Sequence, residues 1–144
     1  YTYTLNNSAT AVDALKASDT KTETFSVKVS DGTNTPAAQN LVFTIKGAND
    51  APTITVSGLT SIAENSTNAV AATVSSSDAE DGSKTVTLSG TGRDDAKFEV
   101  VDGKLRIKTS ADYETQDTYQ VQLKVTDDAG VAVLKNLECI LQLL

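Results

Sequence analysis

Acidic side chains gather in four short clusters: Ala63-Glu64-Asn65, Ser77-Asp78-Ala79-Glu80-Asp81-Gly82, Asp112-Tyr113-Glu114 and Thr126-Asp127-Asp128. A further pair of oxygen donors, Asn49-Asp50, stands just before Pro52. Turns favour Asp, so any one cluster reads equally well as a solvated strand end. Four together pose an electrostatic problem. Two carboxylates about 4 Å apart repel by about 4 kcal/mol at an effective dielectric of about 20, and a bridging cation removes that cost. Asp78-x-Glu80 and Asp112-x-Glu114 each put two carboxylates on one side of an extended chain. These are the oxygen ligands that a hard cation such as calcium takes in shells of about six to eight. The spacing is not that of a 12-residue EF-hand loop.

Composition removes most other chemistry. The chain of 144 residues has no histidine, so His-based triads, His zinc sites and His acid–base pairs are unavailable. A single cysteine, Cys139, excludes an internal disulfide. A net charge of −7 disfavours nucleic acid and anionic membranes as partners and favours cations. No window approaches the roughly 18 apolar residues of a membrane span. Paired carboxylates could serve a glycosidase, but that needs two acids facing each other across a cleft, and these acids fall at strand ends.

The elements that must position the acids are strands. Tyr1-Thr2-Tyr3-Thr4-Leu5 alternates as a strand rather than a signal peptide, and the chain is expected to start inside something larger. Residues 9–17 offer one helical turn, with Ala11, Val12 and Leu15 against a sheet edge. From Glu23, period-two alternation turns Phe25, Val27 and Val29 to one face, and Asn40 to Lys46 turns Leu41, Phe43 and Ile45 inward to pair with it across the loop Thr33 to Gln39. Gly47-Ala48-Asn49-Asp50-Ala51-Pro52 then joins two β-units, with Pro52 stiffening the exit. Seven strands follow: Thr53 to Val56, Ala69 to Val74, Thr85 to Leu88, Lys97 to Val101, Lys104 to Lys108, Thr118 to Val125, and Val131 onward. Short strands between Gly, Asp, Asn and Ser turns predict an all-β, antiparallel sandwich.

An internal repeat supports two units. Phe25-Ser26-Val27-Lys28-Val29-Ser30-Asp31 and Val121-Gln122-Leu123-Lys124-Val125-Thr126-Asp127 share one pattern of apolar, polar and hydroxyl residues, ending in aspartates at 31 and 127, about one sandwich length apart. Residues 1–48 then hold only the latter part of a repeat, whose missing strands leave an exposed edge and apolar face.

Residues 52–134 resemble a cadherin repeat. Ala63-Glu64-Asn65 is similar to that family's x-Glu-Asn, Asp78-Ala79-Glu80-Asp81-Gly82 to its Asp-x-Asp-x-Gly, and Gly103-Lys104-Leu105-Arg106-Ile107 into Asp112-Tyr113-Glu114 to its Gly-x-Ile-x-Thr run into Asp-Tyr-Glu. Tyr119 to Asp127 resembles its terminal strand, and Asn49-Asp50-Ala51-Pro52 a shortened linker. Residues 1–50, with Val29-Ser30-Asp31-Gly32 and Ile45-Lys46-Gly47-Ala48-Asn49-Asp50, resemble the latter half of a VCBS repeat. The resemblance implies an Ig-like or cadherin-like sandwich of seven strands at 53–134, preceded by part of a second sandwich at 1–48 and a linker at 49–52. Residues 135–144 read as a tail or an exposed final strand, with Leu137-Glu138 a possible cloning scar. Glu80 stands where the family has Asp, which makes Asp81 an alternative ligand.

The function so implied is that of a segment of a large bacterial surface or secreted adhesin of the RTX type, extracellular, with Ca²⁺ at its joints. The front joint would use Asn49, Asp50, Asp78, Glu80 or Asp81, and Asp127. The far joint would use Glu64, Asp112 and Glu114. Partners would be neighbouring repeats of the same chain, with homophilic or cell-surface contacts, no nucleic acid and no membrane insertion. The alternative is a β-sandwich binding a carbohydrate or protein ligand. Against it, the chain has no Trp, four Tyr and three Phe, with Phe25, Phe43 and Phe98 at inward positions and Tyr113 and Tyr119 read as core or turn residues.

Overall fold

A computed structural model describes residues 2–34 and 36–142. Tyr1 of the first expected strand, Thr35 of the loop after residue 33, and Leu143 and Leu144 of the expected tail lie outside the described residues. The chain divides into two compact units, Tyr1–Asn49 and Asp50–Leu144.

In the first unit a four-residue helix α1 (Thr10–Asp13) precedes an antiparallel hairpin, β1 (Thr20–Val27) with β2 (Gln39–Lys46), in which Phe25 pairs with Leu41 and Glu23 with Phe43. The strand expected from residue 1 does not form over Thr2 to Leu5. β1 and β2 pair only with each other, so that segment has no ladder to join. Tyr3 instead lays its ring on Phe43 at 4.4 Å and against Phe25 at 5.9 Å, with its hydroxyl donating to Glu23 Oε2 at 3.0 Å. Gly47 closes the unit where a side chain could not fit: a Cβ there would stand 2.2 Å from the Lys16 carbonyl oxygen.

The second unit is a sandwich of two sheets, in the order β3 (Thr53–Ser57), β5 (Val70–Ser77), β8 (Lys104–Ile107), β7 (Phe98–Val101) and the order β4 (Ile62–Ala63), β10 (Ala132–Gln142), β9 (Thr118–Thr126), β6 (Thr87–Leu88). All seven expected strands are present, with ends shifted by a few residues. The two-residue β4 adds to them and runs parallel to β10. The sequence pattern did not announce it, because two residues are too few to show a period.

Period-two burial builds the core. Along β9, Tyr119, Val121, Leu123 and Val125 are 0–3% exposed while Gln120, Lys124 and Thr126 face out. They pack on Phe98, Leu105, Ile107, Ala71 and Ala72 of the facing sheet. Each large side chain so buried stabilises the unit by about 1.5–3 kcal/mol relative to exposure. Of the two readings open for the residues after 134, tail or final strand, the described residues form a strand. β10 continues to Gln142, and its Cys139 (0%) and Leu141 (3%) are core residues rather than parts of a tail. A tight turn at Asp102 and Gly103, both with positive φ (49° and 69°), joins β7 to β8.

Candidate metal centre

At one end of the sandwich, three acids from two distant segments meet. Asn65 adopts φ 60°, a left-handed conformation that Asn tolerates better than most residues. Its N–H donates to the carbonyl of buried Ala111 at 2.8 Å, and the Ala111 N–H returns a bond to Ser66 at 3.1 Å. Glu64 N–H is held by the Gln142 carbonyl at 3.2 Å. These bonds set Glu64 beside the loop that follows Ala111, where Asp112 accepts from the Thr115 N–H (3.1 Å) and hydroxyl (2.7 Å). Carboxylate oxygens of Glu64, Asp112 and Glu114 consequently lie within 4.8 Å of one another. The hydroxyl and amide of Thr115 hold Asp112 below its ordinary carboxylate pKa. Glu64 moves up, because it shares a hydrogen bond with Glu114, loses some hydration, and feels the charges of Glu114 and Asp112. A fixed anion at Asp112 beside a Glu64 that neighbouring carboxylates push towards protonation is an arrangement that a divalent cation would relieve.

The opposite end holds Asp50, Asp78, Glu80, Asp81 and Asp127. Asp78 Oδ1 accepts from the N–H of Glu80 (3.1 Å) and Asp81 (2.9 Å), so this aspartate folds its own loop. Glu80 Oε1 accepts from the Asp50 N–H at 2.8 Å, and Asp81 Oδ2 from the Asp128 N–H at 2.8 Å. Asp127, 6% exposed, takes the Val131 N–H at 2.7 Å. Among the described residues these acids do not form a second group of three carboxylates within 4.8 Å; the far-end trio is the group so gathered. Lys84, which sequence reasoning passed over, pairs with Asp128 at 2.7 Å and reaches Asp81 at 3.9 Å, supplying a positive charge of the chain's own. Among the described residues Asp78 Oδ2 and Glu80 Oε2 are buried with no hydrogen-bond partner, and such oxygens are costly unless something completes them. Of the two alternatives at this position, Glu80 has the unfilled oxygen while Asp81 is engaged. Asn49 belongs to the first unit and Asp50 to the second.

Two more buried acids have a different task. Asp95, 6% exposed, accepts from Ser89 Oγ and from the N–H groups of Gly90, Gly92 and Gln122 at 2.8–3.0 Å. Asp94 takes the Gln120 N–H at 2.8 Å and the Gln116 side chain at 3.0 Å, with Lys97 at 3.7 Å. Burial pushes Asp94 up, but the bonds from Gln120 and Gln116 and the charge of Lys97 outweigh it and leave the pKa lowered. Both carboxylates continue the β9 ladder past the end of β6, standing in for strand backbone. Gly92 is required beside them, since a Cβ there would lie 2.1 Å from Asp95 Oδ1. In the sequence, Arg93-Asp94-Asp95 looks like an ordinary charged turn.

No protein-family model matches the chain, and no curated protein matches it in sequence. Solved structures do. Protocadherin gamma B2 extracellular cadherin domains 3–6 align with a TM-score of 0.63 at 18% identity over 85% of this chain and 31% of that one. PcdhgB3 EC1–4 gives 0.64 at 20% identity over 85% and 32%. Mouse cadherin-23 EC22–24 gives 0.51 at 18% over 84% and 42%. The fold is that of cadherin extracellular domains. This cadherin-like chain spans about a third of the length of the protocadherin chains it matches. Of its aromatic residues, Phe98 and Tyr119 are core and pack edge to face at 5.6 Å, Tyr113 sits in a turn, and Phe25 is 44% exposed rather than inward. Among the described residues no helix is long and apolar enough to cross a membrane.

Proposed function

We propose that this chain is a calcium-binding module of a large extracellular adhesin on a bacterial surface, a spacer stiffened by calcium and not an enzyme. The observation that carries the reading is the convergence of Glu64, Asp112 and Glu114, oxygens within 4.8 Å, at a sandwich end. Glu64, Asp112 and Glu114 would hold one ion, with ligands from a following repeat completing its shell. Asp50, Asp78, Glu80 and Asp127 would supply ligands at the front end of the second unit, and the two oxygens of Asp78 and Glu80 left unpartnered among the described residues fit that role. Bound calcium supplies charge neutralisation and a crosslink between segments; no bond of a substrate is made or broken. The order of cadherin-like and VCBS-like motifs along the chain supports the tandem-repeat reading.

Extracellular modules bind calcium at about 10⁻⁴–10⁻³ M. An ion at ten times its Kd stabilises the folded state by about 1.4 kcal/mol, and at a hundred times by about 2.7 kcal/mol. Thermal unfolding followed by circular dichroism in millimolar calcium should therefore exceed that in EDTA by several degrees. Triple substitution Glu64→Gln, Asp112→Asn, Glu114→Gln should remove the far-site part of the gain. A midpoint indifferent to calcium refutes the reading.

A further inference from the structure

The loop between β5 and β6 carries a cation among its anions. Asp78 Oδ1 accepts the N–H groups of Glu80 and Asp81, and the Gly82 N–H, from a residue at φ 69°, reaches the Asp78 carbonyl at 3.2 Å. Two residues on, buried Ser76 clamps Lys84: its hydroxyl accepts the Lys84 N–H at 2.7 Å and donates to the Lys84 carbonyl at 2.6 Å. The loop is tied at both ends, and it delivers the Lys84 ammonium to Asp128 at 2.7 Å and to Asp81 at 3.9 Å. The Asp81 side chain is only 3% exposed. A carboxylate so withdrawn from water needs positive charge beside it, and Lys84 brings it. The loop thus holds two kinds of acid. Asp81 lies beside the ammonium, whereas Asp78 Oδ2 and Glu80 Oε2 are buried without a hydrogen-bond partner among the described residues.

We propose that Lys84 is a tethered counter-ion that sets the calcium affinity of the front end of the second unit, holding Asp81 and Asp128 out of the ion's shell and leaving Asp78 and Glu80 to bind. This rests on the calcium reading above and adds which carboxylates are withheld, and by what. A calcium ion draws its oxygens in to about 2.3–2.6 Å, so Asp81 could join the shell only by giving up Lys84. An ammonium fixed on the same loop also repels a second positive charge. The pairing therefore weakens calcium binding and, in the ion's absence, steadies a loop crowded with carboxylates. Which acid of this loop binds is decided by where the ammonium sits: Glu80 keeps an unfilled oxygen because Lys84 serves Asp81.

Calcium titration calorimetry of the full chain tests it, with Glu64→Gln, Asp112→Asn and Glu114→Gln present throughout so that the front end alone is read. Lys84→Met, which keeps the aliphatic stem, should bind calcium severalfold more tightly, and Lys84→Arg, which keeps the charge, should bind as the parent does. Asp81→Asn should change little beside Lys84 but should cancel the gain in Lys84→Met, a coupling read by the double-mutant cycle. Thermal unfolding gives a second readout: Lys84→Met should melt lower than the parent in EDTA and recover in millimolar calcium. Affinity unchanged or weakened in Lys84→Met, a gain that survives Asp81→Asn, or an equal loss of Tm in EDTA and in calcium overturns the proposal and leaves the calcium reading standing if the parent binds. Binding by Lys84→Met alone upholds Lys84 as the counter-ion and removes calcium from the front end of the parent chain. Binding by neither overturns both.

Discussion

Replacing Asp95 with Ala separates acids that build the fold from acids that would hold an ion. The Asp95 carboxylate accepts three backbone N–H groups, from Gly90, Gly92 and Gln122, and one hydroxyl, from Ser89. Removing it strands the three N–H donors in a part-buried loop, each at a cost of about 1 kcal/mol at the low end of the range for a lost buried partner. The Ser89 hydroxyl can still reach Thr91 at 3.0 Å and adds little. The sum, about 3 kcal/mol, is a large share of the roughly 5–15 kcal/mol that stabilises a domain. For a unit of this size it corresponds to a fall in Tm of roughly 12 °C or more. Urea unfolding followed by circular dichroism should show a matching drop in midpoint with an unchanged slope. The increment of Tm that calcium adds should be the same in Asp95→Ala as in the parent chain, because Asp95 belongs to the β9 edge and not to either end cluster. A loss below about 1 kcal/mol would refute the hydrogen-bond accounting. A shrunken calcium increment would refute the assignment of Asp95 to architecture.

The Glu64 carboxyl, raised by Glu114, binds its proton more tightly when folded. Its contribution without calcium is therefore full below its ordinary pKa and is lost as pH rises through the folded value, the reverse of Asp94 and Asp112, whose lowered pKa values give stability that is lost as pH falls. The difference in Tm between the parent and Glu64→Gln in EDTA, scanned through the acid range, should show that sign, and calcium affinity by titration calorimetry should weaken as Glu64 protonates. Cys139, with its thiol pushed up to about 11 by burial and the residue 0% exposed, should resist Ellman's reagent in the native chain and react on unfolding in urea. Reaction at native rates would mean that β10 opens beyond residue 138.

Local pattern and chemistry carried much of this protein on their own. Alternation along residues 118–126 specifies both a strand and its buried face, because a strand's period belongs to the chain itself. The turn chemistry of Asp, Asn and Gly punctuates the sandwich at the places where strands end. The acids of the far end were also legible, as types of donor at strand ends, and their motif order carried the cadherin-like resemblance that the fold bears out.

Tertiary structure decided what depends on neighbours. Glu64 is 48 positions before Asp112 in the chain, and only the reciprocal bonds of Asn65, Ser66 and Ala111 bring the two together. The same sequence pattern buries Val121 and Leu123 to 2% and 0% but leaves Phe25 44% exposed, since a facing sheet covers β9 and none covers β1 among the described residues. Residues 135–142 read as either a tail or a final strand until β9 and β4 pair with them, and Asp94 and Asp95 look like surface charge until β9 offers them its N–H groups. Alternation says which side of a strand is apolar; whether anything lies against that side is a property of the whole fold, because burial is measured against atoms far away in sequence.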